Sequence, residues 1–377
     1  MNRLELRGQK TDNKRIFISR PERANTMLPK KYGNLLAALV LTIFAPPACK
    51  FGSDGFPLSQ TLPDTGWSNP TPSPTPSPSP SPSPSPVPEE KILFGVNGHD
   101  GRTDYPLAQT EAVFKKLDQN NLRTYRVDIS PGSFTVMDKL VPLAKKYNIK
   151  LRPMIYPVAQ ATAYNFVKRY AQDIEIWEIG NEQDYQRAGA QDRINAMMET
   201  YRGIKQVASE TGLNIKTSIN IMACNDIPAE SRCYNDPNGG MWFLDMARAS
   251  GFNFDYITFH YYAYLGEKGF WMDKYLGQMR AVATKYNTKI FLNETHCAEI
   301  YSGAENGDGD CVASVRELFD EIKEKYSDIV QEINVYELFD QPSLSADIPQ
   351  HERHFGLMYD INSPKETFNL LVEYAKK

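Results

Sequence analysis

From residue 91 onward the chain repeats one pattern: a short apolar or β-branched run, then a longer stretch whose apolar residues recur at three- and four-residue steps. The short runs are 92–96, 122–127, 150–156, 174–179, 215–221, 256–260, 289–292 and 333–339, each of strand length. Between them, 111–117, 194–207, 272–286 and 312–326 carry the helical period. Strand then helix, eight times, predicts an α/β protein built as a (β/α)8 TIM barrel over residues 91–377. The alternative is an open doubly wound sheet, but no glycine-rich dinucleotide fingerprint follows the first strand.

The first ninety residues follow other rules. The apolar run Leu35 to Phe44 comes after Lys30 and Lys31 and precedes Ala45-Pro-Pro-Ala-Cys49, the layout of a secretory signal too short to span a membrane. Residues 1–49 are therefore expected to be a signal region, with Met27, close to the basic pair, as the expected true start. Cys49 after Ala48 resembles a lipoprotein acylation site, although Pro46 and Pro47 depart from the usual residues there. Residues 50–90 form a linker in which every second position from Pro70 to Pro88 is proline, separated by Ser or Thr at nearly every position. Such a segment cannot bury a core and is expected to be disordered. In polyproline II it would reach roughly 60 Å and act as a tether.

Composition narrows the class. The 377 residues carry a net charge of -4 from 42 basic and 46 acidic side chains. With no long charge run, nothing favours nucleic acid as a partner. A barrel alone takes about 250 residues, so the length requires no second domain, and a monomer is expected. Of the five cysteines, setting Cys49 aside leaves Cys224, Cys233, Cys297 and Cys311, an even number in two local pairs. An exported protein would close them as two disulfides. Neither pair has metal-ligand spacing, and no metal ion or cofactor is expected.

The candidate chemistry sits at two strand ends. Glu182 closes Ile174-Glu-Ile-Trp-Glu-Ile-Gly-Asn-Glu182, and Glu294 closes Lys289-Ile-Phe-Leu-Asn-Glu294. Catalytic groups of parallel barrels lie at the carboxyl ends of strands, and two carboxyl groups in different protonation states are what cleavage of an acetal needs. Counting strands makes these the ends of the fourth and the seventh.

At this point the sequence resembles the clan A glycoside hydrolases, and family 39 and family 5-like members in particular. The resemblance rests on Glu178-Ile-Gly-Asn-Glu182 at strand four, Phe291-Leu-Asn-Glu294 at strand seven, His260-Tyr-Tyr262 at strand six, Arg126 at strand two, and the closing Phe355-Gly-Leu … Pro-Lys365 segment. It implies a retaining β-glycosidase acting on a β-linked oligo- or polysaccharide, with Glu182 as acid/base and Glu294 as nucleophile. It also implies that Asn181 meets the sugar 2-hydroxyl and that Arg126 and Tyr262 attend Glu294, with His260 in the substrate site. Clan members often close strand eight with a tryptophan beneath the sugar. Here the segment is Tyr336-Glu-Leu-Phe-Asp340, and Phe339 is expected to replace it.

Other residues carry weaker expectations. Glu178 shares a strand face with Glu182 and is expected to pair with a basic barrel residue such as Arg152. Asn97, His99 and Asp128 follow the first two strands and are candidates for binding hydroxyls. Trp177 should pack between barrel and helices, while Trp242, Trp271, Tyr261 and Tyr264 are spare aromatics for flanking subsites. Residues 305–310 read as a solvated loop rather than a calcium loop. A barrel retained only for binding carbohydrate on a lipid anchor, or a cell-envelope transglycosylase using the same residues, are the rival functions. The expected location is the cell envelope, anchored to a membrane through Cys49, or otherwise secretion.

Overall fold

The eight expected strands are all present and pair in chain order, each parallel to the next, with β8 closing on β1. They are β1 (Leu93–Gly98), β2 (Thr124–Ile129), β3 (Lys150–Ile155), β4 (Ile176–Ile179), β5 (Lys216–Met222), β6 (Tyr256–Ala263), β7 (Ile290–Cys297) and β8 (Val330–Val335). The computed structural model describes residues 91–185, 187–222, 240–302 and 308–377. The signal region, Cys49, the proline-rich linker, Cys224, Cys233 and residues 305–307 of the 305–310 loop lie outside the described residues, while 308–310 begin a helix.

Among the described residues the helices are α1 (Thr110–Gln119), α2 (Phe134–Lys146), α3 (Gln160–Tyr170), α4 (Ala190–Thr211), α5 (Met241–Ala249), α6 (Trp271–Tyr286), α7 (Asp308–Lys325) and α8 (Glu366–Lys376). Each strand sends its apolar residues outward against them. Phe94 meets Phe319 of α7 with ring centroids 5.4 Å apart, and Trp177, as expected, packs outward at 6.1 Å from Phe166 of α3. Ile219, Phe259, Leu292 and Ile333 complete this layer and are fully buried. It supplies most of the apolar burial that drives folding.

The inward positions are polar, unlike the branched aliphatics that fill most barrels of this kind. Thr124 donates to Asn334 at 2.6 Å across the position of Gly95, where a Cβ would lie 2.0 Å from the Thr124 carbonyl oxygen. Glycine is required there because side chains of β2 and β8 meet in front of β1. One layer on, Arg152 of β3 holds Glu332 of β8, with Nε 2.9 Å from Oε2 and a second bond through Nη2. Glu178 therefore pairs with a basic barrel residue as expected, but not with Arg152. Glu178 stands opposite Met154 in the β3–β4 register, one layer above Arg152, and takes Arg126 instead.

The disulfide Cys297–Cys311 is formed, with Cα atoms 5.0 Å apart, and ties the end of β7 to the start of α7.

A buried ion pair contributes little net stability, but a single survivor is costly. Glu332→Ala should therefore lower unfolding stability by about 3–5 kcal/mol in urea titrations. The double variant Arg152→Met/Glu332→Leu should recover most of that loss.

Candidate active site

The carboxyl ends of β2, β4, β6 and β7 converge on one cluster. Glu294 owes its place there to an irregularity in β7. Leu292 stands opposite Phe259 and Glu294 opposite His260, so Asn293 is an extra residue on β7. Strict alternation would place Asn293 inward and Glu294 outward. The bulge turns both inward, as bulges beside functional sites do. Glu294 Oε1 then accepts from the Tyr262 hydroxyl at 2.8 Å, and Oε2 accepts from Arg126 Nη1 at 3.0 Å.

Glu182 arrives differently. After β4 the backbone turns through Gly180 at φ 75° and Glu182 itself at φ 50°, a left-handed conformation that costs a non-glycine residue energy. Asn220 of β5 holds the turn by accepting the Glu182 N–H at 2.7 Å. The side chain remains partly exposed, and Oε1 lies 2.9 Å from His260 Nδ1. One carboxylate oxygen from each glutamate and one His260 nitrogen all lie within 4.8 Å of one another.

Arg126 makes four hydrogen bonds to three side chains with its three nitrogens. Besides Glu294 it donates through Nε and Nη2 to the two oxygens of Glu178, at 3.1 and 2.8 Å, and through Nη2 to Asn181 Oδ1 at 2.7 Å. Burial disfavours its charge, but Glu178 and Glu294 outweigh burial and raise its pKa. Burial would likewise keep His260 neutral, yet the charges of Glu294 and Glu182 raise its pKa. For Glu182, burial pushes upward, while the bond to His260 and the charges of His260 and Arg126 leave it below the ordinary carboxyl range. The Tyr262 hydroxyl is held well above its usual value by burial and by Glu294, so it stays a donor. One donor atom from each of Glu182, His260 and Glu294 is thus close enough to the others to meet a single cation.

The structure thus brings Glu182, Glu294, Asn181, Arg126, His260 and Tyr262 together. It places two other candidates elsewhere. Both ring nitrogens of His99 face carboxylates, Nδ1 at 2.6 Å from Asp128 and Nε2 at 3.1 Å from Glu337. Phe339 is 3% exposed and packs on Tyr105 at 5.2 Å, beneath the surface of the site. The aromatic near the glutamates is Tyr336, half-buried, edge-on to Tyr262 and followed by a cis peptide to Glu337. Asp128 is engaged by His99 and Arg102. Asn97 lies at the inner end of β1 beside Arg126, 2% exposed, with neither side-chain polar atom partnered. Of the spare aromatics, Tyr261 is fully buried, while Tyr264, Trp242 and Trp271 are partly buried against the core.

Residues not singled out from the sequence complete the surroundings. Glu337, fully buried, accepts from Tyr105 at 2.9 Å and from Gln341 at 2.8 Å. Asp184 is pushed up to about 7, chiefly by burial. Glu352, on the loop after β8, is also raised to about 7 by burial and by the charges of Glu294, Glu337 and Glu182. Only Glu337, two residues past strand eight, carried a positional signal.

The His99 network gives a pH dependence. Burial lowers its pKa, but Glu337 and Asp128 together raise it to about 9 from 6.5. The folded protein therefore binds a proton that the unfolded chain releases between those values, so this stabilisation is complete below pH 6.5 and is lost as pH rises through 9. Urea titrations should show wild type losing up to about 3 kcal/mol across that window relative to His99→Gln.

No family model matches the sequence, and no curated protein matches it. Solved structures share its barrel. A β-D-glucuronidase from Dictyoglomus thermophilum aligns with TM-score 0.53 and 11% identity over 76% of this chain and 51% of its own. An exo-β-1,4-mannosidase from Opitutaceae bacterium strain TAV5 gives 0.52 and 15% over 76% and 59%. A β-glucuronidase from Faecalibacterium prausnitzii gives 0.51 and 12% over 76% and 49%. The chain spans about half the length of these glucuronidases. At such identities the likeness is one of fold.

Proposed function

We propose that this barrel is a retaining β-glycoside hydrolase acting on a β-linked oligo- or polysaccharide. The observation that carries the reading is the approach of the two carboxylates, with oxygens of Glu182 and Glu294 no more than 4.8 Å apart. Retaining enzymes hold their carboxyl groups about 5–5.5 Å apart, whereas inverting ones leave about 6.5–9.5 Å for a water molecule. Their environments divide the labour. Glu294 is buried, bonded to a guanidinium and a phenol, and aimed into the barrel, which suits a nucleophile. Glu182 is the more exposed and bonded to a histidine, which suits proton exchange with a leaving group.

In the first displacement Glu294 bonds to the anomeric carbon as the glycosidic C–O bond breaks, and the departing oxygen takes a proton from Glu182. His260 Nδ1, 2.9 Å from Glu182 Oε1, is placed to exchange a proton with it. In the second, Glu182 takes a proton from water, whose oxygen attacks the anomeric carbon and displaces Glu294. Asn181 gives its side-chain oxygen to Arg126, which leaves its NH2 to donate to the sugar 2-hydroxyl. Export on the proline-rich tether, anchored at Cys49, would place this reaction at the cell envelope.

The charge around the pair points to an uncharged sugar. Arg126, Arg102 and His99 are each bonded to carboxylates already, and burial with the charges of Glu294, Glu337 and Glu182 raises the pKa of Glu352.

Glu294→Ala should abolish turnover, and Glu182→Ala should lower kcat about 10²–10⁴-fold on substrates with poor leaving groups. Proton NMR of the first product should show the β configuration; an α first product, or either variant turning over at the wild-type rate, would refute the reading. Aryl β-glucosides or β-mannosides should be cleaved at least about tenfold faster than the matching β-glucuronides, because each 1.4 kcal/mol of like-charge repulsion is a factor of ten.

A further inference from the structure

Glu178 takes no part in either displacement, yet it touches the nucleophile's supports from two sides. It is 4% exposed and lies on β4, one layer above the Arg152–Glu332 pair. Arg126 grips both of its oxygens, Nη2 to Oε1 at 2.8 Å and Nε to Oε2 at 3.1 Å. A two-point grip fixes the plane of a guanidinium, not merely its position. With that plane fixed, Nη1 is the nitrogen that reaches Glu294, at 3.0 Å. The second contact comes from Asn293, whose Nδ2 donates to Glu178 Oε2. Asn293 is the residue directly before Glu294 and the extra residue of the β7 bulge. A bulge residue has no opposite number in the ladder, so its side-chain bond is what restrains the local backbone.

We propose that Glu178 is a positioning residue for Glu294, aligning it through Arg126 on one side and through Asn293 on the other. The proposal rests on the reading of Glu294 as the nucleophile. It distinguishes Glu178 from Glu332, an equally buried glutamate paired with an arginine one layer deeper. Neither Glu332 nor Arg152 bonds to Glu294 or to Asn293.

The pair therefore supplies its own control. Full-length wild type, Glu178→Gln, Glu332→Gln and Glu294→Ala are incubated with a 2-deoxy-2-fluoro β-glycoside carrying an activated aryl leaving group, which departs without a proton from Glu182. The rate of covalent trapping is followed against reagent concentration, below the melting transition of every variant. Glu178→Gln should trap on the order of 10²-fold more slowly at saturation, the cost of misplacing a reacting group by about an ångström, with its half-saturation concentration unchanged. Glu332→Gln should trap at the wild-type rate per folded molecule. If Glu178→Gln does not fold, Asn293→Ala removes one of the two supports alone and should trap roughly tenfold more slowly, about 1.4 kcal/mol of lost transition-state stabilisation. Trapping at the wild-type rate in folded Glu178→Gln, or in Asn293→Ala, overturns the proposal. Absence of an adduct in wild type, or an adduct in Glu294→Ala, instead overturns the reading of the nucleophile.

Discussion

One guanidinium organises the mouth of this barrel. Arg126 is almost fully buried and bonds to two carboxylates and an amide from β4, the turn after it, and β7. A buried arginine without partners would be prohibitively costly, and so would Glu178 and Glu294 without a cation. Each group is tolerable only in the others' presence, so the arrangement is specified as a whole. The same bonds that make the charges tolerable set the direction in which Glu294 points.

This interaction is possible because the strands divide their two faces so cleanly. The apolar face meets the helices and carries the burial that drives folding, which frees the inner face for charge. The inner face then fills in layers: Thr124 with Asn334, Arg152 with Glu332, Arg126 with Glu178, and finally buried Glu294 with partly exposed Glu182. To one side, His99 joins Asp128 and Glu337, and this second ionic group braces the ends of β1, β2 and the segment after β8. Each layer is neutralised internally. Near the top of the barrel both polar atoms of the Asn97 side chain are left without a partner.

Much of this was legible in the sequence, and the parts that were not share a cause. Strand order followed from periodicity, because eight alternations of two periods leave few architectures, although β4 stops at Ile179, before Glu182, and β7 runs past Glu294 to Cys297. The partner of Glu178 was misjudged because pairing across a barrel depends on stagger between strands, which periodicity does not encode. The inward aim of Glu294 depends on the bulge at Asn293, and nothing local in Phe291-Leu-Asn-Glu294 announces it. His99 kept its place but changed its role, since Glu337 comes from the far end of the chain and meets it only when the barrel closes. Phe339 was chosen as the aromatic at strand eight, whereas the chain turns directly after Val335 and leaves Tyr336 near the glutamates.

The central claim is that one carboxylate among several in this cleft forms a bond to the sugar because Arg126 and Tyr262 aim it there. Mass-spectrometric peptide mapping of the wild-type protein, after inactivation by a fluorinated glycoside, reads that bond directly. The account predicts a single adduct carried by Glu294. An adduct on Glu178, Glu182, Glu337 or Glu352 would contradict it.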